Sequence, residues 1–206
     1  MLVLNNLIVF EGIDGSGKST QIRLLESKLL EKKIPYSVYR EPGGNYLSEK
    51  IRDILLDKNM DICNEAETML FLAARAQLTN ENIYPDLNEN KLVVCDRFCD
   101  STLAYQGYGK KIDKEIIKKC NLFVTRNLNP LMTIIIDIDY ENSLLRMGKN
   151  KDRMENNSKV FFEDVIVGYK ELALQSPDRY FVVDGMLSEE EIHDLIWKKI
   201  NIKRSI

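Results

Sequence analysis

The residues best suited to chemistry form a glycine-rich segment near the N-terminus, Gly12-Ile13-Asp14-Gly15-Ser16-Gly17-Lys18-Ser19. Two glycines separated by four residues and followed by Lys-Ser have the spacing of a phosphate-binding loop. In such a loop, backbone N–H groups converge on phosphate oxygens, and glycines permit an approach that side chains would block. The lysine carries a positive charge to the outer phosphates, and the serine hydroxyl serves Mg²⁺. The segment therefore predicts a nucleotide site.

The elements on either side of this loop are those that a phosphate site requires. An apolar run at 7–10 precedes the loop and an amphipathic segment at 18–33 follows it, which predicts strand, turn and helix. The helix adds its positive N-terminal end to the phosphate site. A glycine-rich turn without a ligand is the alternative, and it is disfavoured because motif and flanking elements agree. We expect Lys18 to lie at an exposed crevice.

The composition limits the classes of protein that the chain can belong to. Its 206 residues, 44% hydrophobic and 30% charged, suit one domain, 1–206, with a substantial core. A net charge of −3 provides no cationic field, so no nucleic-acid partner is expected. The four cysteines match no zinc spacing, which favours a reducing, cytoplasmic setting. No apolar stretch reaches membrane-spanning length and no signal peptide is recognised, so no membrane partner is expected.

Five short apolar runs alternate with amphipathic segments along the chain. This alternation predicts an α/β fold, in which helices cover both faces of a five-stranded parallel sheet. The third run ends in Asp96, which suits a buried parallel strand that delivers a carboxylate to the nucleotide site. The predicted strands are 7–10, 36–40, 92–95, 131–136 and 180–183, and the predicted helices are 18–33, 47–56, 65–84 (closed by Pro85), 112–123, 142–147, 159–174 and 189–200.

A phosphate loop by itself leaves kinases, ATPases and GTP switches open. A GTP switch should carry Asp-x-x-Gly after its third strand and Asn-Lys-x-Asp after a later one. Here the third strand leads into Asp96-Arg97-Phe98-Cys99, which has no glycine. The segment Asn150-Lys151-Asp152-Arg153 is one residue short of the second motif and does not end a predicted strand. These residues favour a kinase or an ATPase.

Four further segments, taken with the phosphate loop, closely resemble bacterial-type thymidylate kinases, which are P-loop nucleoside monophosphate kinases of a three-layer fold. They are Arg40-Glu41-Pro42-Gly43-Gly44, the segment 70–77, Asp96-Arg97-Phe98 and the segment 101–107. The resemblance covers about 7–200. It implies transfer of the γ-phosphate of ATP to dTMP, giving dTDP for dTTP synthesis, by a Mg²⁺-dependent, homodimeric, cytoplasmic enzyme. The predicted ATP contacts are Gly12, Ile13, Asp14, Gly15, Ser16, Gly17, Lys18, Ser19 and Thr20.

The chemistry needs cations beside both anionic substrates, because the two must meet in line. Lys18 serves ATP, and Arg97, which follows a strand-end aspartate, can reach the acceptor phosphate. A surface arginine is the alternative for Arg97. Asp14 lies beside phosphates, where a carboxylate makes sense if it meets a sugar hydroxyl or a metal-bound water. Ser19 and Asp96 are the predicted metal ligands.

The acceptor pocket is predicted from spacing and from the resemblance together. Phe71 and Arg75 are four residues apart on a predicted helix and project from one face. The ring can stack on a pyrimidine while the guanidinium donates to an exocyclic oxygen; core packing and a surface cation are the alternatives. Gln106 offers a donor and an acceptor to thymine, and the Tyr105 ring can fill the space of a 2′-hydroxyl. The predicted dTMP contacts are Asp14, Glu41, Arg52, Phe71, Arg75, Arg97, Ser101, Thr102, Tyr105 and Gln106.

The segment at about 146–158 resembles the family's lid. Its closure over ATP would bring positive charge to the transferring phosphoryl and exclude water. Gly15 stands where one branch of the family carries an arginine, which fits the branch whose catalytic arginine comes from the lid. This lid is shorter and richer in lysine than the lids of that branch, and a flexible charged loop is the alternative. Its cations are Arg146, Lys149, Lys151 and Arg153, of which Arg146 and Arg153 are the catalytic candidates.

Two competing functions stay open at this point. The chain could phosphorylate another nucleoside monophosphate, or it could be a nucleotide-binding regulator or ATPase that transfers phosphate to water. A panel of acceptors with ATP separates these cases. The resemblance also favours a dimer through the predicted helix 65–84, where Met69, Leu72, Ala73 and Ala76 provide apolar surface.

Overall fold

A parallel β-sheet organises the computed structural model, which describes residues 6–148 and 152–204. Its strands are β1 (Leu7–Glu11), β2 (Tyr36–Arg40), β3 (Leu92–Asp96), β4 (Met132–Asp137) and β5 (Tyr180–Asp184). They lie in the order β2-β3-β1-β4-β5. Central β1 pairs with β3 on one side and β4 on the other, so that Ile8 faces both Val94 and Met132. The five predicted strands and the α/β fold class are confirmed.

Helices cover both faces of this sheet because side chains of β1 alternate between two apolar layers. Ile8 and Phe10 pack in one layer, and Leu7 and Val9 pack in the other. The helices are α1 (Lys18–Glu31), α2 (Tyr46–Leu56), α3 (Asn64–Leu78), α4 (Tyr84–Asn88), α5 (Cys99–Thr102), α6 (Lys114–Val124), α7 (Tyr140–Arg146), α8 (Lys159–Gln175) and α9 (Glu189–Arg204), with π-helical segments at Thr79–Ile83 and Leu103–Gly109. Among the described residues, no helix combines the length and apolar character needed to cross a membrane.

The predicted helix 65–84 is divided in the structure, and the prediction that Pro85 closes it was wrong. The helix α3 ends at Leu78, a π-helical segment follows, and Pro85 lies in the first turn of α4. Proline is tolerated there because the first N–H groups of a helix have no intrahelical acceptor. Pro85 therefore begins a helix instead of closing one.

Side-chain caps account for two other displaced helix boundaries. The carboxylate of Asp113 accepts hydrogen bonds from the first turn of α6, which therefore begins at Lys114 and not at 112. Asp139 caps α7, which begins at Tyr140 and not at 142. Aspartate is a favoured N-cap because it satisfies N–H groups that would otherwise lack partners.

Candidate active site

The phosphate loop joins β1 to α1, and two of its glycines are required by close packing. Gly12 has a φ of 137°, and a Cβ there would lie 2.6 Å from the carbonyl oxygen of Ile136. Gly15 has a φ of 76°, and its Cβ would lie 2.6 Å from the carbonyl oxygen of Ser143 in α7. A left-handed backbone and a lack of space both favour glycine at these positions. An arginine at position 15 would displace α7.

A cavity of about 800 Å³, here called the loop cavity, opens in front of this loop. It runs along the loop and the carboxyl ends of the neighbouring strands, where nucleotides bind in open α/β sheets. Arg146 borders it and donates a hydrogen bond to the Gly185 carbonyl oxygen at 3.0 Å. Of the nine predicted ATP contacts, those from Asp14 to Thr20 line this cavity, whereas Gly12 and Ile13 lie behind it.

Lys18 lies deeper than expected. The side chain lines the loop cavity, as a residue at an open crevice should, but the residue itself is only 6% exposed. Its ammonium donates to the carbonyl oxygens of Gly12 and Ile13, both at 3.0 Å. Burial, with the nearby Arg97 charge, lowers the pKa of Lys18 from its ordinary value. The loop's own backbone thus holds the ammonium in place.

A second, smaller cavity, here called the inner cavity, lies beside the loop cavity. Asp14, Glu41, Arg52 and Arg97 line both cavities, so the two meet at these four side chains. All ten predicted dTMP contacts line the inner cavity; their roles there stay predictions. The sequence reasoning did not include Pro42, Leu56, Asp152 and Met154, which also line it.

Arg97 and Asp14 form an ion pair where the two cavities meet. Arg97 follows β3 with a φ of 71° and donates to the Asp14 carboxylate at 2.7 Å and to the Tyr105 hydroxyl at 3.1 Å. Burial alone would raise the pKa of Asp14, but the charges of Arg97 and Lys18 lower it to about 2. Asp14 is therefore ionised at neutral pH, and its partner in this structure is an arginine.

Comparisons with known proteins agree with this geometry. A family model described as thymidylate kinase matches residues 10–196. The thymidylate kinase of Kosmotoga olearia is 43% identical over 194 residues, 93% of each chain, and that of Fervidobacterium nodosum is 43% identical over 195 residues, 94% of this chain and 98% of the relative. The chain belongs to the thymidylate kinase family. The crystal structure of thymidylate kinase from Ehrlichia chaffeensis superposes with a TM-score of 0.80 at 34% identity, covering 96% of this chain and 98% of that one.

Within this thymidylate kinase fold, Arg75 is a buried junction between helices and not the surface cation of the alternative interpretation. It is 1% exposed, and its Nε donates to the Glu41 carboxylate at 2.7 Å. Its Nη1 donates to the Thr102 hydroxyl at 2.8 Å and to the Asn121 side-chain oxygen at 2.7 Å. Its Nη2 donates to the Phe98 carbonyl oxygen at 2.9 Å. A base oxygen that approached Arg75 would share these donors with the protein.

The described cations of the predicted lid lie on two sides of the candidate site. Arg146 borders the loop cavity. Arg153 instead points toward the inner cavity side, where its Nε donates to the Leu55 carbonyl oxygen at 2.7 Å and its Nη1 lies 2.7 Å from the Glu67 carboxylate. Lys149 and Lys151 lie outside the described residues. The sequence could not indicate this division, because it depends on how the segment folds onto α2 and α3.

Ser19 and Asp96, the predicted metal ligands, both line the loop cavity. One carboxylate oxygen of Asp96, Oδ1, is buried and has no hydrogen-bond partner among the described residues. A buried carboxylate oxygen is costly unless it is paired or coordinates a cation. Hydroxyl and carboxylate oxygens are ligands that Mg²⁺ prefers, with waters and phosphates completing the shell. The donor set therefore fits Mg²⁺.

Glu11 is a buried carboxylate that the sequence pattern did not single out; it lines neither cavity but bonds Ser101, which lines the inner cavity. This last residue of β1 is fully buried and accepts hydrogen bonds from the backbone N–H groups of Phe98 and Ser101 at 2.9 and 3.1 Å. It also accepts from the hydroxyls of Ser101 and Tyr169 at 2.6 and 2.8 Å. Burial, reinforced by Asp100, raises its pKa to about 7. The available signal was a lone acidic residue that directly continues an apolar strand.

Glu11 should make the stability of the protein depend on pH. Folding raises its pKa from 4.5 to about 7, so the folded state holds the proton more tightly than the unfolded state. The free energy of unfolding should therefore fall as pH rises through this interval, by up to about 3 kcal/mol. We expect Glu11→Gln to remove this pH-dependent fall in the free energy of unfolding. The oxygen of the glutamine amide can accept from both backbone N–H groups, and its NH₂ can donate to the two hydroxyls.

The measurement is urea unfolding of the parent and Glu11→Gln at pH values from 4.5 to 8. The difference in unfolding free energy, variant minus parent, should rise with pH. Glu65→Gln, at an exposed position of α3, serves as the control for the chemical change. A Glu11→Gln difference that stayed constant over the whole range would contradict the prediction.

Proposed function

We propose that this protein transfers the γ-phosphoryl group of ATP to dTMP, giving ADP and dTDP for dTTP synthesis. The observation that carries the proposal is the meeting of two cavities at Arg97 and Asp14, directly in front of a phosphate-binding loop. ATP occupies the loop cavity, and dTMP occupies the inner cavity. Membership of the thymidylate kinase family supports this choice of substrates.

The reaction is an in-line displacement. A phosphate oxygen of dTMP forms a bond to the γ-phosphorus, the bond to the β–γ bridging oxygen breaks, and ADP leaves with the electron pair. The protein contributes position and charge more than proton transfer. Lys18 faces the ATP phosphates, Arg97 lies between donor and acceptor, and Arg146 approaches from the lid. Arg153, which points away from the loop cavity, holds the acceptor side of the lid.

Mg²⁺ is the expected cofactor, and Ser19 and Asp96 would hold it. Bound there, it would neutralise negative charge on the ATP phosphates. Asp96 offers a buried carboxylate oxygen that has no hydrogen-bond partner in the described part of the chain, and Ser19 is an exposed residue at the start of α1. The protein needs no dedicated cage, because Mg²⁺ keeps several water and phosphate ligands.

The inner cavity accounts for acceptor selection. Phe71 is half-buried and provides a flat apolar face on which a pyrimidine can stack. Tyr105 is almost fully buried and its hydroxyl accepts a hydrogen bond from Arg97, which supports the proposal that its fixed ring excludes a ribose 2′-hydroxyl. Arg75 and Gln106 also line this cavity and supply hydrogen-bonding atoms there. We expect deoxyribose and thymine to be favoured together.

The decisive experiment is an acceptor panel with ATP. Purified protein with ATP, Mg²⁺ and dTMP, dUMP, dCMP, AMP or GMP should give dTDP with the highest kcat/KM for dTMP. A higher kcat/KM for another acceptor would show a different nucleoside monophosphate kinase. Loss of ATP without a phosphorylated acceptor would show an ATPase. The inner cavity that meets the loop cavity at Asp14 and Arg97 gives an acceptor a place to bind beside ATP, which favours transfer to a bound acceptor.

The proposal includes a homodimer formed through α3 and α6, in one cytoplasmic domain. On α3, Met69 is 51% exposed and neighbours the exposed Ala73, whereas Leu72 is buried in the core. On the adjacent α6, Ile116 and Phe123 are exposed, the latter to 83%. Two neighbouring helices thus present apolar side chains that a second copy of the chain could cover.

Charge placed on this surface should separate the dimer. We expect Met69→Glu with Phe123→Glu to sediment as a monomer at micromolar concentration, because each carboxylate would be buried against its partner copy. The parent should sediment at twice the 23.9 kDa mass of one chain. Leu30→Glu, at an exposed apolar position on α1, is the control and should leave the dimer intact. A monomeric parent would refute this part of the proposal.

A further inference from the structure

A buried carboxylate on α3, Glu67, connects the lid to the wall of the inner cavity. Glu67 is 0% exposed, although it carries an ionisable group. Its Oε1 accepts a hydrogen bond from Gln106 Nε2 at 2.9 Å. Its Oε2 lies 2.7 Å from Arg153 Nη1 and 3.7 Å from Lys110 Nζ. Such burial is stable only because cations and a donor surround the carboxylate.

The contact with Glu67 fixes which end of the Gln106 amide faces the inner cavity. A carboxylate accepts hydrogen bonds and cannot donate them, so only the NH₂ end of Gln106 can face it. The carbonyl oxygen of Gln106 must then lie on the other side of the amide. Because Gln106 is 2% exposed and lines the inner cavity, that oxygen is available to the cavity as an acceptor.

We propose that Glu67 is a positioning residue for base selection: it sets the hydrogen-bonding polarity of Gln106 and ties the lid to the acceptor pocket. This inference rests on the proposed function. The N3–H group of thymine is a donor and matches the Gln106 carbonyl oxygen. The N3 atom of cytosine is an acceptor at neutral pH. Its lone pair would face a lone pair of the Gln106 carbonyl oxygen, and the two acceptors would repel each other.

The second role of Glu67 acts through Arg153. Besides Glu67, the Arg153 side chain bonds the Leu55 carbonyl oxygen at the end of α2, at 2.7 Å. The residues on either side of it, Asp152 and Met154, line the inner cavity. The Glu67–Arg153 pair therefore holds two wall residues of the acceptor pocket against α2 and α3. Loss of this pair should weaken dTMP binding without altering the polarity of Gln106.

The test compares Glu67→Gln with Arg153→Met. In Glu67→Gln the new amide can donate to the Gln106 carbonyl oxygen, which frees Gln106 to turn its NH₂ toward cytosine N3. The ratio of kcat/KM for dTMP to that for dCMP should fall at least about tenfold, with the KM for ATP within about twofold of the parent. Arg153→Met should raise the KM for dTMP about fivefold or more and keep the ratio within about twofold.

The control for the charge change is Glu65→Gln, two residues away on an exposed position of α3. It should leave the dTMP-to-dCMP ratio of kcat/KM and the KM for dTMP unchanged. An unchanged dTMP-to-dCMP ratio of kcat/KM in folded Glu67→Gln would overturn the inference. A fall in this ratio in Arg153→Met as large as that expected for Glu67→Gln would also overturn it. A parent that does not phosphorylate dTMP would instead refute the proposed function, so the two failures are distinguishable.

A structure of the unmodified protein with dTMP provides a second test, which does not depend on the folding of Glu67→Gln. The Gln106 side chain should lie within hydrogen-bonding distance of thymine N3 on one side and of Glu67 on the other. A Gln106 turned away from the base, or a Glu67 without contact to it, would overturn the inference.

Discussion

Lys18→Met should lower kcat by about a thousandfold or more, the largest effect expected of any single substitution in this site. The ammonium lies inside the phosphate loop, fixed by the carbonyl oxygens of Gly12 and Ile13 at 3.0 Å. A preorganised charge in a water-poor site stabilises the transferring phosphoryl far more than it would in water. Methionine has a similar length and fills the same space, but it carries no charge and cannot donate to the two carbonyl oxygens.

The measurement is kcat with saturating ATP and dTMP, together with thermal unfolding to show that the variant folds. Lys32→Met, which removes an exposed charge at the end of α1, is the matched control and should retain the parent kcat. If kcat for folded Lys18→Met stayed within about tenfold of the parent, equivalent to roughly 1.4 kcal/mol, Lys18 would not serve the transition state.

Arg97→Met should lower kcat by about a hundredfold to a thousandfold, the usual range for loss of one transition-state donor. Arg97 is one of the four described residues that line both cavities, and it donates hydrogen bonds to Asp14, Tyr105 and Ser101 at once. Its removal would take positive charge from the point where donor and acceptor phosphates meet. It would also leave the Asp14 carboxylate unpaired beside ATP.

The kcat of Arg97→Lys should lie between those of the parent and Arg97→Met, because lysine keeps the positive charge but lacks the planar set of donors of a guanidinium. Arg126→Met is the matched control, since Arg126 also has a left-handed backbone, with a φ of 49° against 71° for Arg97. If the kcat of Arg126→Met fell as far as that of Arg97→Met, the loss would be explained by replacing an arginine that has a left-handed backbone, and not by the place of Arg97 in the site. If Arg97→Met kept the kcat of the parent at saturating dTMP, Arg97 would have no role in the transfer step.

Local sequence patterns were sufficient for the fold and for the loop that begins the site. The five strands followed from short apolar runs between turn residues, and the phosphate loop followed from the spacing of Gly12, Gly17 and Lys18. Both depend on interactions between residues that are near one another along the chain. The sheet then brings the carboxyl ends of β1 and β3 together, because the two strands are parallel neighbours. Proximity of the loop to Arg97 therefore follows from the strand order, which the alternation of strands and helices does not determine by itself.

Contacts between distant segments depend instead on how the elements pack in three dimensions. Glu11 meets Tyr169 from α8, and Arg75 meets Asn121 from α6, partners that no local spacing connects to them. The direction of Arg153, away from the loop cavity and onto Glu67, likewise depends on how the segment that carries it packs against α2 and α3. A buried charge takes whichever partner the packing brings within reach, since an unpaired one is costly. Residue types and spacing therefore indicate which side chains line the site, while packing sets which of them are free to meet a substrate.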